Sequence, residues 1–513
     1  MPRKKDTHVI PGGFNYFKEL SPVNLNYVAA LNSIEPINID KDFTYCDLSC
    51  GNGLTINICA ASYPQGKFFG IDADPEHIHH AQSTAKKAGL NNVTFLCHTL
   101  SESSIENLPG ADFIVLHNVF SYTSENTRNQ ILKIIRKKLN PQGLFYVNYN
   151  AMPGWAISMP LREAVKQYTD NITGNAREKV KEGLSYLKLL SLENTEIFSK
   201  NLTARRYLDS ILQESHDYVA YEYLQEYCHA FYFKDVNSFF KTIDMEFVGS
   251  MPFYLNHKPF TIPQECIKYY GSVDDREFLE MQKDFIANSF FRQDIYANNK
   301  KHTLTPTERD NYFKHCYFAQ INYYEKITKK VVINKQNFTL TGNVYKRLQE
   351  LFRDGIYSIT ELCDHSYFNT VEESIIATAI RNLTAFGLIS PCQKKGILGK
   401  PTEIFHQLGI THSMNKNLKI RIDQETQEVA LASQVLGGAV KTNPISAIIL
   451  LAYTQNKNKA EIIHQVAQET IMQMKNPPID KNFFQRKITH EVENFSKNIL
   501  PILYRLGIVT VKN

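Results

Sequence analysis

The chain has 513 residues, of which 43% are hydrophobic and 21% charged, with a formal net charge of +5 at pH 7. This is the composition of a folded protein of several domains; it excludes a disordered chain and does not mark a dedicated polyanion binder. No run approaches the ~18 to 20 apolar residues of a membrane span, and the longest, Ile445–Ala452, reads as buried helix. The nine cysteines include no C-x-x-C pair. Neither a zinc site nor a disulfide framework is indicated, and a reducing cytoplasm is the expected setting. The opening MPRKKDTHVIPGG is basic but leads into no apolar signal core, which leaves delivery into a host cell by another route open.

From Phe43 to Tyr149 short apolar runs alternate with helical periodicity, the signature of a parallel α/β sheet. The pattern predicts strands at 43–48, 67–72, 93–97, 112–118 and 144–150. Helices are expected over 54–63, from Pro75 to a left-handed cap at Gly89, and over 127–139. Residues 156 to about 225 read as helical. The stretch 236–255 then predicts one helix and one or two antiparallel strands that close the sheet. Further on, LTAFGLIS (383–390) echoes LYRLGIVTV (503–511), an apolar helix, a glycine and a short β-branched run. That echo suggests winged-helix-like units, with CQKKGILGKP (392–401) as a wing. No concentrated Arg/Lys helix accompanies it, so a protein-interaction or spacer role is favoured over reading nucleic acid.

The chemistry centres on DLSCGNG, Asp47 to Gly53, between the first strand and its helix. Glycines are needed where a ligand approaches the backbone, and Gly51 and Gly53 supply that approach. The second strand ends in Asp72, where an acid accepts hydrogen bonds from both ribose hydroxyls of an adenosine cofactor. A dinucleotide fingerprint would need a third glycine where Ile56 stands. S-adenosylmethionine carries no pyrophosphate and brings a sulfonium and an amino-acid end, which suits Asp47 and Asp72 better. A degenerate site that holds nothing is the remaining alternative. No metal is implied.

These residues resemble a family. DLSCGNG is similar to motif I of class I methyltransferases, and HNVFSY (117–122) and YVNYNAMPGW (146–155) look like signatures of bacterial members that carry a methyltransferase regulatory domain. YEYLQEYCHAFYFKDV (221–236) and DFIANSFFRQDIY (284–296) resemble pieces of that regulatory domain. The rickettsial outer-membrane-protein lysine methyltransferases are the best-understood relatives. Ser49 stands where the family usually has glycine, and Asn118 and Tyr122 replace a more usual glycine and tryptophan. The resemblance implies S-adenosylmethionine as cofactor, lysine side chains of a protein as acceptor, and a homodimer that the sequence itself does not show.

The expected fold class is therefore α/β, a Rossmann-like class I methyltransferase sheet with a helical insertion, plus mainly helical C-terminal winged-helix-like subdomains. The expected division is 1–40 (cofactor cover), 41–155 (core), 156–225 (insertion), 226–330 (end of sheet and regulatory region), 331–400 and 401–513 (winged-helix-like). Asp47, Ser49, Gly51, Gly53, Asp72, Ala73, Thr99, Leu100, His117 and Tyr16 are the candidate cofactor-binding residues. Tyr149, Asn150, His117 and Trp155 are candidates for the catalytic edge, because ligands bind at the carboxyl ends of strands in open α/β sheets. Trp155 could instead pack the insertion, Tyr16 could be core, and His117 suits a hydrogen-bonded contact better than a base. Glu222 and Tyr223, in the segment that resembles the opening of the regulatory domain, are candidates for the border of a substrate channel. Two rivals stand beside the lysine reading: a small-molecule or nucleic-acid methyltransferase, disfavoured because HNVFSY lacks the paired prolines of amide and base methylators, and a non-catalytic cofactor-binding or interaction protein.

Overall fold

The computed structural model describes residues 15–101, 106–270, 273–298, 301–324, 326–396, 408–410, 413–416, 428–455, 459–473 and 480–511. Helix α1 (Pro22–Leu31) precedes β1 (Phe43–Asp47), α2 (Leu54–Ser62), β2 (Gly66–Asp72), α3 (Pro75–Lys87), β3 (Val93–Cys97) and β4 (Ala111–Leu116). Helix α4 (Glu125–Lys138) then leads into β5 (Leu139–Asn150). Each helix begins and ends for local reasons. Asp74 accepts the Glu76 N–H ahead of Pro75 to start α3, and Ser124 accepts the Thr127 N–H to start α4. Ile78, Ala81 and Ala85 of α3 are buried, as are Ile131, Ile134 and Ile135 of α4. Each large side chain among them contributes about 1.5–3 kcal/mol by leaving water.

The insertion comprises α5 (Ser158–Asp170), α6 (Ala176–Leu192), the short α7 (Glu196–Ser199), α8 (Leu202–Ile211) and α9 (His216–Tyr223). It has its own core of Leu161, Val165, Val180, Leu187 and Leu208. The chain returns to the sheet with α10 (Phe233–Lys241) and β6 (Met245–Ser250). Short helices α11 (Lys258–Thr261) and α12 (Gln264–Tyr270) follow, then α13 (Arg276–Ala287) and β7 (Phe291–Asn298).

The seven strands lie in the order β3-β2-β1-β4-β5-β7-β6. β7 is antiparallel to both of its neighbours and the remaining pairs are parallel. The strand order reverses between β1 and β4, which opens a crevice at their carboxyl ends. One expectation needs correction. The stretch 244–255 supplies a single strand, β6, which runs in the sense of β5, and the antiparallel closing strand comes from 291–298. Asn256 ends β6 by accepting the Ser250 N–H (3.1 Å) and donating to the Ser250 carbonyl (2.8 Å), so the chain after Pro252 turns instead of pairing.

β7 is tied down by charge. Arg292 is buried, and its guanidinium donates to Asp294 (2.9 Å), to both oxygens of Asp284 (3.0 Å) and to Glu280 (3.0 Å). The Tyr149 and Ser250 hydroxyls also donate to Asp294, each at 2.6 Å. This knot joins β5, β6, β7 and α13.

Beyond the sheet, helices 343–354, 359–363 and 373–385 pack with a three-stranded sheet of 317–319, 356–358 and 390–392. A second helical unit pairs strand 408–410 with 509–511. The echo seen in the sequence is real in the backbone: Gly387 (φ +70°) and Gly507 (φ +63°) each end a helix before a short strand. The proposed wing lies partly outside the described residues, since 397–407 are not among them. Among the described residues no helix is long and apolar enough to cross a membrane.

Replacing Arg292 by Met leaves three clustered carboxylates without their shared cation. Urea unfolding should show a loss of about 3–5 kcal/mol; a stability unchanged from wild type would mean that the knot does not anchor β7.

Candidate cofactor and acceptor site

Asp47 ends β1, and only 3% of it is exposed. The Ser49 N–H at 3.3 Å is the hydrogen bond it receives, and no cation pairs with it among the described residues. Burial, reinforced by the charge of Asp72, pushes its carboxyl up to about 7. Such a group is suited to a cationic ligand. Gly51 (φ +52°) has open space where a Cβ would project, while Gly53 (φ +77°) would place one 2.4 Å from the Ala81 Cβ. One glycine leaves room for a ligand and the other lets α2 pack on α3.

Asp72 lies at the end of β2. Burial alone would raise its carboxyl, but hydrogen bonds from His77 (3.2 Å) and from the N–H groups of Asp74 (3.0 Å) and Gly51 (2.9 Å) hold it below the usual range. The Ser49 hydroxyl points at the same carboxylate from 3.5 Å. Ala73 is exposed beside it, and exposed Thr99 and half-buried Leu100 follow β3 on the same edge. The residues fit an adenosine cofactor with a cationic end: an ionised acid for the ribose, an uncompensated buried acid for an ammonium, and an open glycine turn between them.

His117 follows β4 with its Nδ1 3.1 Å from the Tyr146 hydroxyl and 3.0 Å from Asn148 Nδ2. Burial pushes its pKa down to about 3, so the ring is neutral at pH 7. That environment suits a hydrogen-bonding group and not a base. The Phe17 ring lies 4.1 Å from the imidazole, and the Phe17 N–H donates to Thr55 Oγ1 at 3.1 Å, so residues 17–20 cross the crevice.

On the other side of β4 a second cluster forms. Asn150, at the end of β5, donates through Nδ2 to the Tyr122 hydroxyl (3.1 Å), which donates in turn to Glu222 Oε2 (2.7 Å). The Tyr221 hydroxyl donates to the Asn118 carbonyl (2.8 Å), and the Tyr223 hydroxyl to that of Tyr207 (2.8 Å). Tyr122, Tyr207, Tyr218, Tyr221 and Tyr223 all lie close enough to Glu222 for its charge to raise their pKa values, although burial is the larger cause in each. Burial also raises the Glu222 carboxyl. Buried Arg162 donates from Nε to the Glu222 carbonyl (3.3 Å) and fixes the end of α9.

Tyr149 does not reach the crevice, and Tyr16 takes the core position that stood as its alternative. Tyr149 alternates with Asn148 and Asn150 along β5, so its ring enters the core beside Phe120 and its hydroxyl joins the Arg292 knot. Tyr16 packs on the outer side of α2, against Ile58 and Ala61, and its hydroxyl accepts the Ala439 N–H at 3.0 Å. Its neighbour Phe17 is the residue that reaches the crevice. Trp155 is buried in the turn that leads into α5, next to Gly154, which is pressed on the Ser289–Phe290 backbone. Tyr122 and Tyr221 were not among the candidates. Their spacing in the sequence carries no period, and only the docking of α9 brings them together.

Comparison with known proteins agrees with this geometry. Residues 39–213 match the model of a methyltransferase domain, and 215–298 that of a predicted methyltransferase regulatory domain. The chain therefore carries a methyltransferase domain joined to a predicted methyltransferase regulatory domain. An uncharacterized protein of Synechocystis sp. is 26% identical over 499 residues, 96% of this chain and 97% of its own length. An uncharacterized protein of Rickettsia prowazekii is 24% identical over 63% of this chain and 58% of its own length. The structure of PKMT2 from Rickettsia typhi superposes with a TM-score of 0.74 at 18% identity, covering 97% of this chain and all of that one, and shares the fold. PKMT2 has also been solved in complex with AdoHcy. A methyltransferase domain with this glycine turn and strand-two acid fits S-adenosylmethionine as its cofactor.

The raised Asp47 carboxyl has a consequence for stability. The folded protein binds that proton more tightly than the unfolded chain, whose value is near 3.8, so the group's contribution is fully present below that pH and lost as pH rises through about 7. Asp47→Asn should raise the Tm of the ligand-free protein at pH 8, on the order of 2 °C, while weakening binding of S-adenosylmethionine. Asp72→Ala should leave the fold intact and abolish that binding. Melting curves and calorimetric titration read both, and unchanged affinity in Asp72→Ala would sink the ribose assignment.

Proposed function

We propose that this methyltransferase modifies the Nε of lysine in a protein substrate, and that the tyrosine-lined Glu222 pocket receives the lysine. The carrying observation is that cluster: a carboxylate that accepts from the Tyr122 hydroxyl, with Tyr221 and other tyrosines near it, by the ends of β4 and β5. Tyrosine faces attract an ammonium through cation–π contacts, and Glu222 attracts it by charge. The similarity in fold to PKMT2 supports the same acceptor class.

S-adenosylmethionine, when bound, supplies an electrophilic methyl group on a sulfonium. The protein's part is to position and deprotonate the acceptor. A free lysine has a pKa of about 10.4, and enclosure away from water beside a cation lowers it. Glu222, its own proton affinity raised by burial, is placed to accept a hydrogen bond from the ammonium and to help the proton leave. Asn150 and Tyr122 hold that carboxylate in place. With the amine lone pair free, positioning and exclusion of water supply the remaining acceleration.

The test is transfer of labelled methyl groups to proteins of a lysate, before and after acetylation of its lysines. Label should disappear after acetylation, and Glu222→Gln should lower turnover about 10²-fold without changing cofactor affinity. Label that survives acetylation, or that nuclease removes, would overturn the lysine reading.

A further inference from the structure

Helix α2 carries apolar and small residues on all sides, and every residue from Thr55 to Ser62 is buried. One side packs on the sheet. The other is covered by a β-hairpin from the far end of the chain, Val429–Ser433 paired with Gly438–Thr442. This hairpin is rooted in the C-terminal unit: Leu431, Val435, Leu436 and Val440 lie in its core, and the Ser433 hydroxyl donates to the Leu506 carbonyl at 2.6 Å.

The tip of the hairpin holds the segment that crosses the cofactor crevice. Phe17 to Leu20 span it, with Phe17 on His117 and Thr55, and Glu19 accepting from Gln293 at 2.7 Å. The residues on either side of this span are fastened to the hairpin tip, at Ala439 and Gly437. The Tyr16 hydroxyl accepts the Ala439 N–H, and the Ser21 hydroxyl donates to the Gly437 carbonyl. The Ser62 hydroxyl, on α2, donates to the Gly438 carbonyl at 3.2 Å. A Cβ at Gly437 would lie 2.2 Å from the Tyr63 hydroxyl, and one at Gly438 would lie 2.3 Å from that of Tyr16. Only glycine lets the tip approach both tyrosines.

We propose that the Gly437–Gly438 tip is a latch for the strap of residues 15–21, so that the C-terminal unit governs how fast cofactor and product leave the crevice. Tyr16 and Ser21 are positioning residues: they touch no reacting atom and act through Phe17, which they hold beside His117 and the start of α2, and Glu19, which they hold on Gln293 of β7. The C-terminal half, remote in sequence, thereby becomes part of the cofactor site's closure. A partner that displaced the hairpin would open the crevice without touching the catalytic edge.

The experiment uses the full chain with three sequences: wild type, Gly438→Val and the milder Tyr16→Phe, which keeps the ring and loses the acceptor for Ala439. Two quantities are read, the dissociation rate of S-adenosylhomocysteine by stopped-flow displacement and hydrogen exchange of peptides covering 15–21 and β1. Gly438→Val should speed dissociation about tenfold, and Tyr16→Phe about threefold, the size of a lost hydrogen bond or two. Exchange should rise in 15–21 and stay unchanged in β1. Faster strap exchange with an unchanged dissociation rate would overturn the proposal, as would no change in either. If Gly438→Val raises exchange in β1 as well, that variant is unfolding and Tyr16→Phe alone decides by the same criteria. Failure of the wild type to bind S-adenosylhomocysteine would refute the cofactor site itself, and the latch with it.

Discussion

A carboxylate buried with no cation beside it among the described residues is the constraint around which this site is arranged. Asp47 lies where the strand order reverses, at the one place in the sheet where neighbouring connections diverge and leave a crevice. Removing that charge from water costs several kcal/mol unless something compensates it, and among the described residues a single backbone N–H reaches it. The burial is therefore held in place by the sheet, in which β1 is paired on both sides by β2 and β4. A cationic ligand would provide the missing compensation, and for that reason the site is best understood as incomplete without its cofactor.

The two carboxylates of the cofactor edge are treated oppositely. Asp72 is held ionised by three hydrogen bonds, so it is ready to accept from a diol at any ordinary pH. Asp47 is poised near neutrality and responds to charge. Across β4, burial also raises the Glu222 carboxyl, here in an aromatic setting. The knot around Arg292 sets the stage for this second site, because it fixes β7 against β5 and so fixes the strand end from which Asn150 reaches Tyr122.

Much of the core was legible in the sequence because its rules are local. Strand and helix periods, the helix start at Pro75 and the cap at Gly89, the glycine turn and the strand-two acid all act within about twenty residues of one another. What escaped is long-range. The second closing strand lies forty residues beyond the first, and nothing in FRQDIYAN distinguishes a central antiparallel strand from any other until Arg292 finds its three acids. Tyr149 was assigned to the edge because it stands at a strand end; its neighbour Asn150 points there, and alternation alone puts Tyr149 in the core. The same one-residue parity separates Tyr16 from Phe17. The tyrosine pocket needs α9 to dock on the β4 loop, and the latch joins residues more than four hundred positions apart. Neither leaves a trace in composition or spacing.

The central claim is that the buried Asp47 carboxyl meets the cationic end of S-adenosylmethionine. Calorimetric titration at pH 7, repeated in buffers of different ionisation enthalpy, measures it directly. A carboxyl that is partly protonated when the site is empty must lose its proton to pair with a cation, so binding should release protons and the apparent enthalpy should change with the buffer. Asp47→Asn should remove that buffer dependence. Tight binding with no proton release in the wild type, or no binding at millimolar ligand, would contradict the account.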